Sequence, residues 1–130
     1  MASVKLRYFE VSDINNHGYE ILDDILRNIQ DLICAANKCM SLYGKQFVVT
    51  SGLRSEEDQE RINPKAMHSK HLTGQAVDVE DKDGALAAWI SKHLDKMEQY
   101  GLWFEDFGHT HGWVHMQCCP PKSGRRVFIP

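Results

Sequence analysis

The sequence predicts an α+β fold, in which a small antiparallel sheet packs with two long helices in one domain over residues 1–130. Two observations lead to this prediction. Apolar residues recur at the helical period over residues 18–42 and again over about residues 84–100, which indicates two amphipathic helices. Short apolar segments bounded by turn residues lie between and after these stretches, which indicates strands. The resulting order of helix, strand, helix, strand, helix, strand, strand favours an α+β domain.

The first half of the chain is predicted to contain an extended segment, a long helix and a strand. Residues 7–13, "RYFEVSD", are expected to be extended and to pack on the body. The helix over residues 18–42 is expected to end at Gly44, because glycine suits the left-handed backbone that follows many helices. The stretch "KQFVVTSG" then indicates a strand. The apolar side chains of these segments are Tyr8, Phe9, Val11, Ile21, Leu22, Ile25, Leu26, Ile29, Leu32, Ile33, Ala36, Phe47, Val48 and Val49.

The second half begins with a short helix that Ser55 caps and that stops before Pro64. After a loop, "QAVDVED" alternates with a period of two, as a strand does. Asp83 is expected to cap the second long helix, and Gly101 to end it. The stretches "LWFED" and "GWVHMQ" indicate paired strands joined by the loop "FGHTH".

Length and composition suit one globular domain with a core over about residues 18–117 and an extended tail over residues 118–130. The net charge of −3 excludes the basic surface of a nucleic-acid-binding protein. No apolar run approaches the ~20 residues of a membrane span. The start, "MASVKLRYFEVSD", lacks the apolar stretch of a signal peptide. We therefore expect a monomer made in the cytoplasm that binds no nucleic acid and does not insert into membranes.

The four cysteines do not form the paired CxxC frame of a zinc finger. Cys34 and Cys39 fall in the first predicted helix, where buried thiols are expected. Cys118 and Cys119 are adjacent, and the cytoplasm would keep them reduced.

The stretch "SKHLTGQAVDV" sets His71 and Asp78 seven positions apart around Gly74. This spacing does not suit ligands on adjacent helical turns, but it suits a turn that leads into a strand. A catalytic zinc site uses three protein ligands and leaves the fourth position open. His115, in "GWVHMQ", is the best third candidate, although a single histidine on a strand is more often a core residue.

The pattern S-x-H-x-x-G-x-A-x-D, followed after the next helix by W-V-H, resembles that of the zinc murein peptidases. This family includes D-alanyl-D-alanine carboxypeptidases, vancomycin-resistance dipeptidases and phage L-alanyl-D-glutamate endolysins. The stretch "TSGLRS", residues 50–55, resembles the S-G-[YF]-R-S strand end of that family. The resemblance covers about residues 45–117, and the tail resembles that of small phage or prophage members. It implies the zinc peptidase fold that the hedgehog signalling domain shares.

The resemblance also implies roles for single residues. His71, Asp78 and His115 would bind one Zn²⁺ per chain. Arg54 would receive a carboxylate of the substrate, since its planar fork suits that group; an ion pair with a neighbouring glutamate is the alternative. Ser69 would hydrogen-bond near the metal or the substrate. Gly74 would permit the turn between the two ligands. Trp113 would contact the substrate.

This sequence departs from the family's pattern at the catalytic base. Many members of the family carry a glutamate a few residues before the last histidine ligand, whereas this sequence has Gly112 three residues before His115 and His109 six residues before it. We favour Glu105 as the base, because a longer hairpin loop changes the sequence distance without moving cross-strand neighbours. His109 and His111 are alternatives, as base or as stabiliser of the oxyanion. The remaining histidines, His17, His68 and His93, are expected at the surface, with His68 nearest the site.

The resemblance thus implies a zinc metallopeptidase that hydrolyses the stem peptides of bacterial peptidoglycan. It would be a D-Ala-D-Ala carboxypeptidase or an L-Ala-D-Glu endopeptidase. As a phage or prophage lysis enzyme, it would act in the bacterial cell wall or periplasm. The alternative is a non-catalytic zinc-binding module for cell-wall recognition or a virion. A third possibility is a structural zinc with His111 or Cys118 as the fourth ligand.

Overall fold

The computed structural model describes residues 4–65 and 69–130, and it confirms the α+β fold. The described helices are α1 (Val11–Ile14), α2 (Asp23–Tyr43), α3 (Glu56–Ile62), a 3-10 helix (Lys70–Thr73), α4 (Ala85–Ser91) and α5 (Leu94–Tyr100). The strands are β1 (Val49–Ser51), β2 (Ala76–Glu80), β3 (Trp103–Glu105), β4 (Trp113–Gln117) and β5 (Val127–Phe128). Among the described residues, no helix is both long enough and apolar enough to cross a membrane.

One sheet of five strands organises the molecule, in the order β1-β2-β4-β3-β5. The three pairs from β1 to β3 are antiparallel, as predicted, and β3 and β4 form the expected hairpin. The prediction of a purely antiparallel sheet is wrong at one edge, because β5 pairs with β3 in parallel. The tail therefore returns to the body as an edge strand, where Phe128 is buried and Ile129 is exposed.

The two faces of the sheet have different roles. Since successive side chains of a strand point to opposite faces, directly paired residues share a face. One face is apolar and joins the buried residues of α2 in a single core, whereas Asp78 and His115 lie on the other face. The fully buried side chains that the central strands contribute to the core are Val77, Val79, Phe104, Val114 and Met116.

Helix α2 ends where the sequence predicts and begins later. Gly44 takes the left-handed conformation, with φ +77°, and its N–H donates to the carbonyl of Met40. The predicted start at residue 18 is wrong by five residues, since the helix begins at Asp23. The side chain of Asn15 accepts from the N–H of Tyr19 and donates to its carbonyl, and these bonds hold the segment before α2 outside the helix.

The second long helix is divided into α4 and α5, so its predicted continuity is wrong. The imidazole of His93 stacks on Trp89, with ring centroids 4.4 Å apart, and its Nδ1 lies 2.7 Å from the carbonyl oxygen of Trp89. That carbonyl would otherwise accept the helical hydrogen bond from the N–H of His93, which instead donates to Ile90. The side chain therefore competes with the backbone and ends α4. The prediction that Asp83 caps this helix is wrong, because Gly84 is the N-cap of α4. Asp83 accepts only from the N–H of Ala85, and the carboxylate of Asp81 accepts from the N–H groups of Leu86 and Ala87.

The N-terminal segment differs from the predicted extended segment over residues 7–13. Residues 11–14 form the short helix α1, and Leu6 makes a bridge with Phe47. Phe9 is buried as expected, whereas Tyr8 is exposed.

The first two cysteines also separate by burial. Cys39 is buried, as expected, and burial raises the pKa of its thiol to about 12. The prediction of a buried thiol is wrong for Cys34, which lies on the exposed side of α2.

Candidate metal centre

Three different elements place His71, Asp78 and His115 together. His71 lies on the 3-10 helix, whose N-cap is Ser69, and the hydroxyl of Ser69 accepts from the N–H of His71. Gly74 ends this helix with φ +75°, a conformation that glycine adopts without strain, and the chain then enters β2. Asp78 of β2 is the direct partner of His115 on β4. A turn followed by a strand therefore accounts for the spacing of the first two residues.

The three side chains converge on one point. Asp78 Oδ1 lies 3.2 Å from His71 Nε2 and 3.0 Å from His115 Nδ1. One potential ligand atom from each residue lies within 4.8 Å of the other two, and all three residues are buried. In the described ranges, 4–65 and 69–130, no fourth His, Cys, Asp or Glu joins this group. The described site therefore has three donors, which is the number that an open, catalytic zinc site uses.

The outer nitrogen of each imidazole is held by a fixed acceptor. His71 Nδ1 lies 2.8 Å from the carbonyl oxygen of Gly52, which can only accept, so Nδ1 carries the proton. His115 Nε2 lies 2.8 Å from Gln117 Oε1. In proteins, such partners commonly fix the tautomer and orientation of a histidine that binds a metal. In the neutral ring of His71, Nε2 therefore has the free lone pair and faces Asp78.

These residues fit a zinc ion. When both imidazoles are neutral with protonated outer nitrogens, two nitrogen lone pairs and a carboxylate oxygen face one another with no proton between them. This arrangement needs a cation, and two imidazoles with one carboxylate are ligands typical of Zn²⁺. The donor set and its buried location therefore match a zinc site better than a satisfied core cluster.

The charges of the cluster shift two pKa values in opposite directions. Burial disfavours the carboxylate of Asp78, but hydrogen bonds from His115 and His71 outweigh it and hold the pKa of Asp78 well below its usual range. Burial likewise disfavours the charged ring of His115. The hydrogen bond and the charge of Asp78 outweigh this effect and raise the pKa of His115 above its ordinary value. Without a metal, the contacts with Asp78 thus favour the protonated form of His115.

Arg54 lies at the edge of the cluster. Its Nη2 is 3.7 Å from Asp78 Oδ2, and its guanidinium donates to Ser51 Oγ from both Nε and Nη2. Its Nη1 donates to Oε1 of Gln59, a buried residue of α3. The alternative for Arg54, an ion pair with a neighbouring glutamate, is not found among the described residues, where its acidic partner is Asp78. Its guanidinium is held in place and still has N–H groups available for a ligand.

Glu105 lies on the other side of the cluster. The register of the hairpin sets Trp103 opposite Gln117 and Phe104 opposite Met116, and Glu105 follows next on β3. Its Oε1 lies 3.7 Å from His115 Nδ1, and about a quarter of its side chain is exposed. The hairpin thus brings a carboxylate to the metal cluster although ten positions separate it from His115 in the sequence.

The alternative bases lie farther out in the loop between β3 and β4. His109 is exposed, and its Nδ1 lies 2.9 Å from Oδ2 of Asp106. His111 is also exposed. Neither residue belongs to the described metal cluster.

Several other predicted site residues have identifiable positions. Ser69 bonds to the backbone of His71, as described above. Trp113 is half-buried and pairs with Glu80 on the same sheet face as His115. Trp103 is half-buried under the guanidinium of Arg126, which lies 4.3 Å from its ring centroid. Cys118 lies outside the metal cluster, and His68 lies outside the described residues.

Four residues that contact the site were not predicted as site residues from the sequence alone. Gly52 and Gln117 hold the two histidines, Gln59 holds Arg54, and Phe128 places its ring edge-on to His115, with centroids 6.3 Å apart. Only Gln117 carried a signal, because strand alternation sets it on the face of His115. The other three come from segments whose proximity depends on the fold.

Comparisons with known proteins show a family and a similar fold. No curated protein sequence matches the chain. Among solved structures, the chain is similar to the crystal structure of the Serratia marcescens L-Ala D-Glu endopeptidase ChiX, with a TM-score of 0.50 and 21% sequence identity. The match covers 79% of this chain and 92% of that one, and it is a likeness of fold. A sequence model described as Peptidase M15 matches residues 7–117, which include every residue of the cluster. The chain belongs to the peptidase M15 family.

Proposed function

We propose that this protein is a zinc metallopeptidase that hydrolyses peptide bonds in the stem peptides of bacterial peptidoglycan. One observation carries the proposal. His71 Nε2, Asp78 Oδ1 and His115 Nδ1 converge as three metal donors, with a carboxylate and a guanidinium each 3.7 Å from a member of the group. The membership in a peptidase family supports hydrolysis as the reaction.

The residues divide the chemistry of hydrolysis between them. His71, Asp78 and His115 would hold the ion, and zinc in such a site supplies Lewis-acid polarisation of a carbonyl group and lowers the pKa of water. Glu105 accepts the proton of the attacking water and returns it to the leaving amine, which is the task of a general base and then a general acid. Its partial exposure leaves it open to both water and substrate.

Arg54 binds a carboxylate of the substrate. Ser51 and Gln59 fix its guanidinium before the substrate arrives, so little side-chain freedom is lost on binding. Peptidoglycan stem peptides carry free carboxylates beside their unusual peptide bonds, which suits a preformed guanidinium. Trp113, on the same sheet face, contributes a surface for the peptide.

The bond between L-Ala and D-Glu is the first to test, because the structure with a similar fold is an L-Ala D-Glu endopeptidase. Cleavage of D-Ala-D-Ala is the second possibility within the same proposal. The sequence resembles small phage and prophage enzymes, so we place its action at the bacterial cell wall, in lysis by a phage or prophage.

The test is hydrolysis of purified peptidoglycan by the zinc-loaded protein, followed by release of amino groups and by mass spectrometry of the fragments. Replacing Glu105 by Gln is expected to lower the rate at least about 100-fold, because the general base is lost, while the zinc content stays unchanged. Glu98→Gln is the matched control, since Glu98 lies on α5, pairs with Arg126 and is expected to be dispensable. His71→Ala provides a variant without a metal ligand.

The outcomes separate the parts of the proposal. Full activity in Glu105→Gln would remove Glu105 from the mechanism and direct attention to His109 and His111. No hydrolysis by the zinc-loaded wild type on several types of cell wall would instead favour a zinc-binding module without catalysis.

A further inference from the structure

We propose that Gln117 is a positioning residue for the metal centre, because its side-chain carbonyl holds His115 in the tautomer that presents Nδ1 to the ion. This inference rests on the proposed function, since it concerns how the same site is prepared for zinc. Gln117 is the last residue of β4, lies two positions after His115 and is buried, with 3% of its surface exposed.

The backbone of Cys119 determines which way the amide of Gln117 faces. Gln117 Nε2 lies 2.8 Å from the carbonyl oxygen of Cys119. A carbonyl oxygen only accepts, so the atom facing it must be the amide nitrogen and not the amide oxygen. Gln117 Oε1 therefore faces His115, at 2.8 Å from Nε2.

The same reasoning assigns the proton on the histidine. An amide oxygen also only accepts, so the contact with Gln117 favours the tautomer of His115 that carries its hydrogen on Nε2. In the neutral ring, Nδ1 then has a free lone pair, and this is the atom that lies 3.0 Å from Asp78 Oδ1. The hydrogen bonds that join His115 to Gln117 and Gln117 to Cys119 thus leave the lone pair of His115 Nδ1 facing Asp78.

The tautomer of His115 with its proton on Nδ1 would not offer a lone pair to the ion. With its proton on Nδ1, His115 would donate directly to Asp78, and both residues would be taken up by one hydrogen bond. Because the ring and Gln117 are both buried, water is a poor substitute for the acceptor at Nε2. Gln117 therefore shifts the equilibrium between the tautomers toward the form that binds a metal.

Gln59 provides a matched control within the chain. It is also a buried glutamine, with 1% of its surface exposed, and it also bonds to a residue of the site, but its partner is Arg54. Replacing either glutamine by Met removes one buried amide at similar volume. Only the variant at position 117 removes a partner of a metal ligand.

The first experiment measures zinc affinity by competition with a chelating dye, together with the thermal stability of each metal-free variant. Gln117→Met is expected to bind zinc about 10–100-fold more weakly than the wild type, the range found for partners of histidine ligands. Gln59→Met is expected to keep wild-type zinc affinity. Equal zinc affinities for Gln117→Met and the wild type, or equal losses in the two variants, would overturn the proposal.

The second experiment needs no variant to fold. Long-range ¹H–¹⁵N NMR spectra of the metal-free wild type, with the rings neutral, report which nitrogen of His115 is protonated. A proton on Nε2 supports the proposal, and a proton on Nδ1 overturns it. Because neither readout uses peptide hydrolysis, a protein that binds zinc without cutting peptidoglycan would refute the proposed function and leave the role of Gln117 standing.

Discussion

Three polar neighbours of His115 favour its protonated form. Asp78 and Glu105 place two carboxylates near Nδ1, and Gln117 accepts at Nε2. Burial opposes the charged ring, but these neighbours outweigh burial and raise the pKa of His115 above its ordinary value of 6.5. In the protein without metal, the position that suits zinc is therefore one that a proton also occupies.

This competition predicts that zinc affinity increases with pH. Below the raised pKa of His115, zinc must displace a proton from Nδ1; above it, the lone pair is free. Asp78 does not add to the dependence near neutrality, because its pKa lies well below the usual range and it stays ionised. Competition titrations between about pH 6 and pH 8 should show tighter binding at the higher pH. An affinity that does not change over this interval would contradict the prediction.

The backbone of the loop between β1 and α3 bonds to two other elements, α1 and the 3-10 helix that carries His71. The N–H of Leu53 donates to the carbonyl of Ile14 in α1, and the N–H of Arg54 donates to the carbonyl of His71. The carbonyl of Gly52, the residue just before Leu53, accepts from the ring of His71. Gly52 has room only for hydrogen, because a Cβ there would lie 2.1 Å from the carbonyl oxygen of Ile14. The glycine in "TSGLRS" therefore serves a close backbone approach that orients the ring of His71.

Gly52→Ala is expected to weaken both folding and zinc binding. The added methyl group must push the loop away from α1, at about 1–3 kcal/mol of unfolding free energy, and it moves the carbonyl that orients His71. Urea denaturation and zinc competition measure the two effects. Gly108→Ala is the control, because its Cβ would meet only the side chain of Asp106, 3.0 Å away in an exposed loop. Unchanged zinc affinity in Gly52→Ala would show that the loop carbonyl does not orient the ligand.

The metal centre and the hydrophobic core lie on opposite faces of one sheet. The central strands bury apolar side chains on the face that joins α2, and they carry the cluster on the other. The core thus holds β2 and β4 in the register that pairs Asp78 with His115. Core stability and site geometry are coupled through the strands that they share.

A core substitution in α2 should therefore destabilise the whole molecule. Leu32 is fully buried, and Leu32→Ala is expected to cost about 2–5 kcal/mol of unfolding free energy. Leu42 lies on the same helix with nearly half of its surface exposed, and Leu42→Ala is expected to change stability by less than about 0.5 kcal/mol. Urea denaturation of the metal-free proteins compares the two. Equal losses would mean that α2 does not pack on the core through Leu32.

Local patterns in the sequence predict the types of most elements. The helical period predicts α2, glycine predicts its end at Gly44, and alternation predicts β2, β3 and β4. They do not predict the division of the second helix, because that depends on a side chain, His93, that competes for a backbone carbonyl. Nor do they predict the parallel pairing of β5, because an edge strand of two residues has too short a pattern.

The same distinction holds for the site. The sequence by itself identified His71, Asp78 and His115 as a group, since the motif and its resemblance depend on residue types and spacing alone. The tertiary structure decided which nitrogen each histidine presents and how close Glu105 lies to them. A tautomer is set by an acceptor, and the acceptor of His71 is a backbone carbonyl nineteen positions away, whose identity no side-chain pattern encodes. Residue types therefore specify the three side chains of the cluster. Only the fold places beside the two histidines the hydrogen-bond acceptors that orient them.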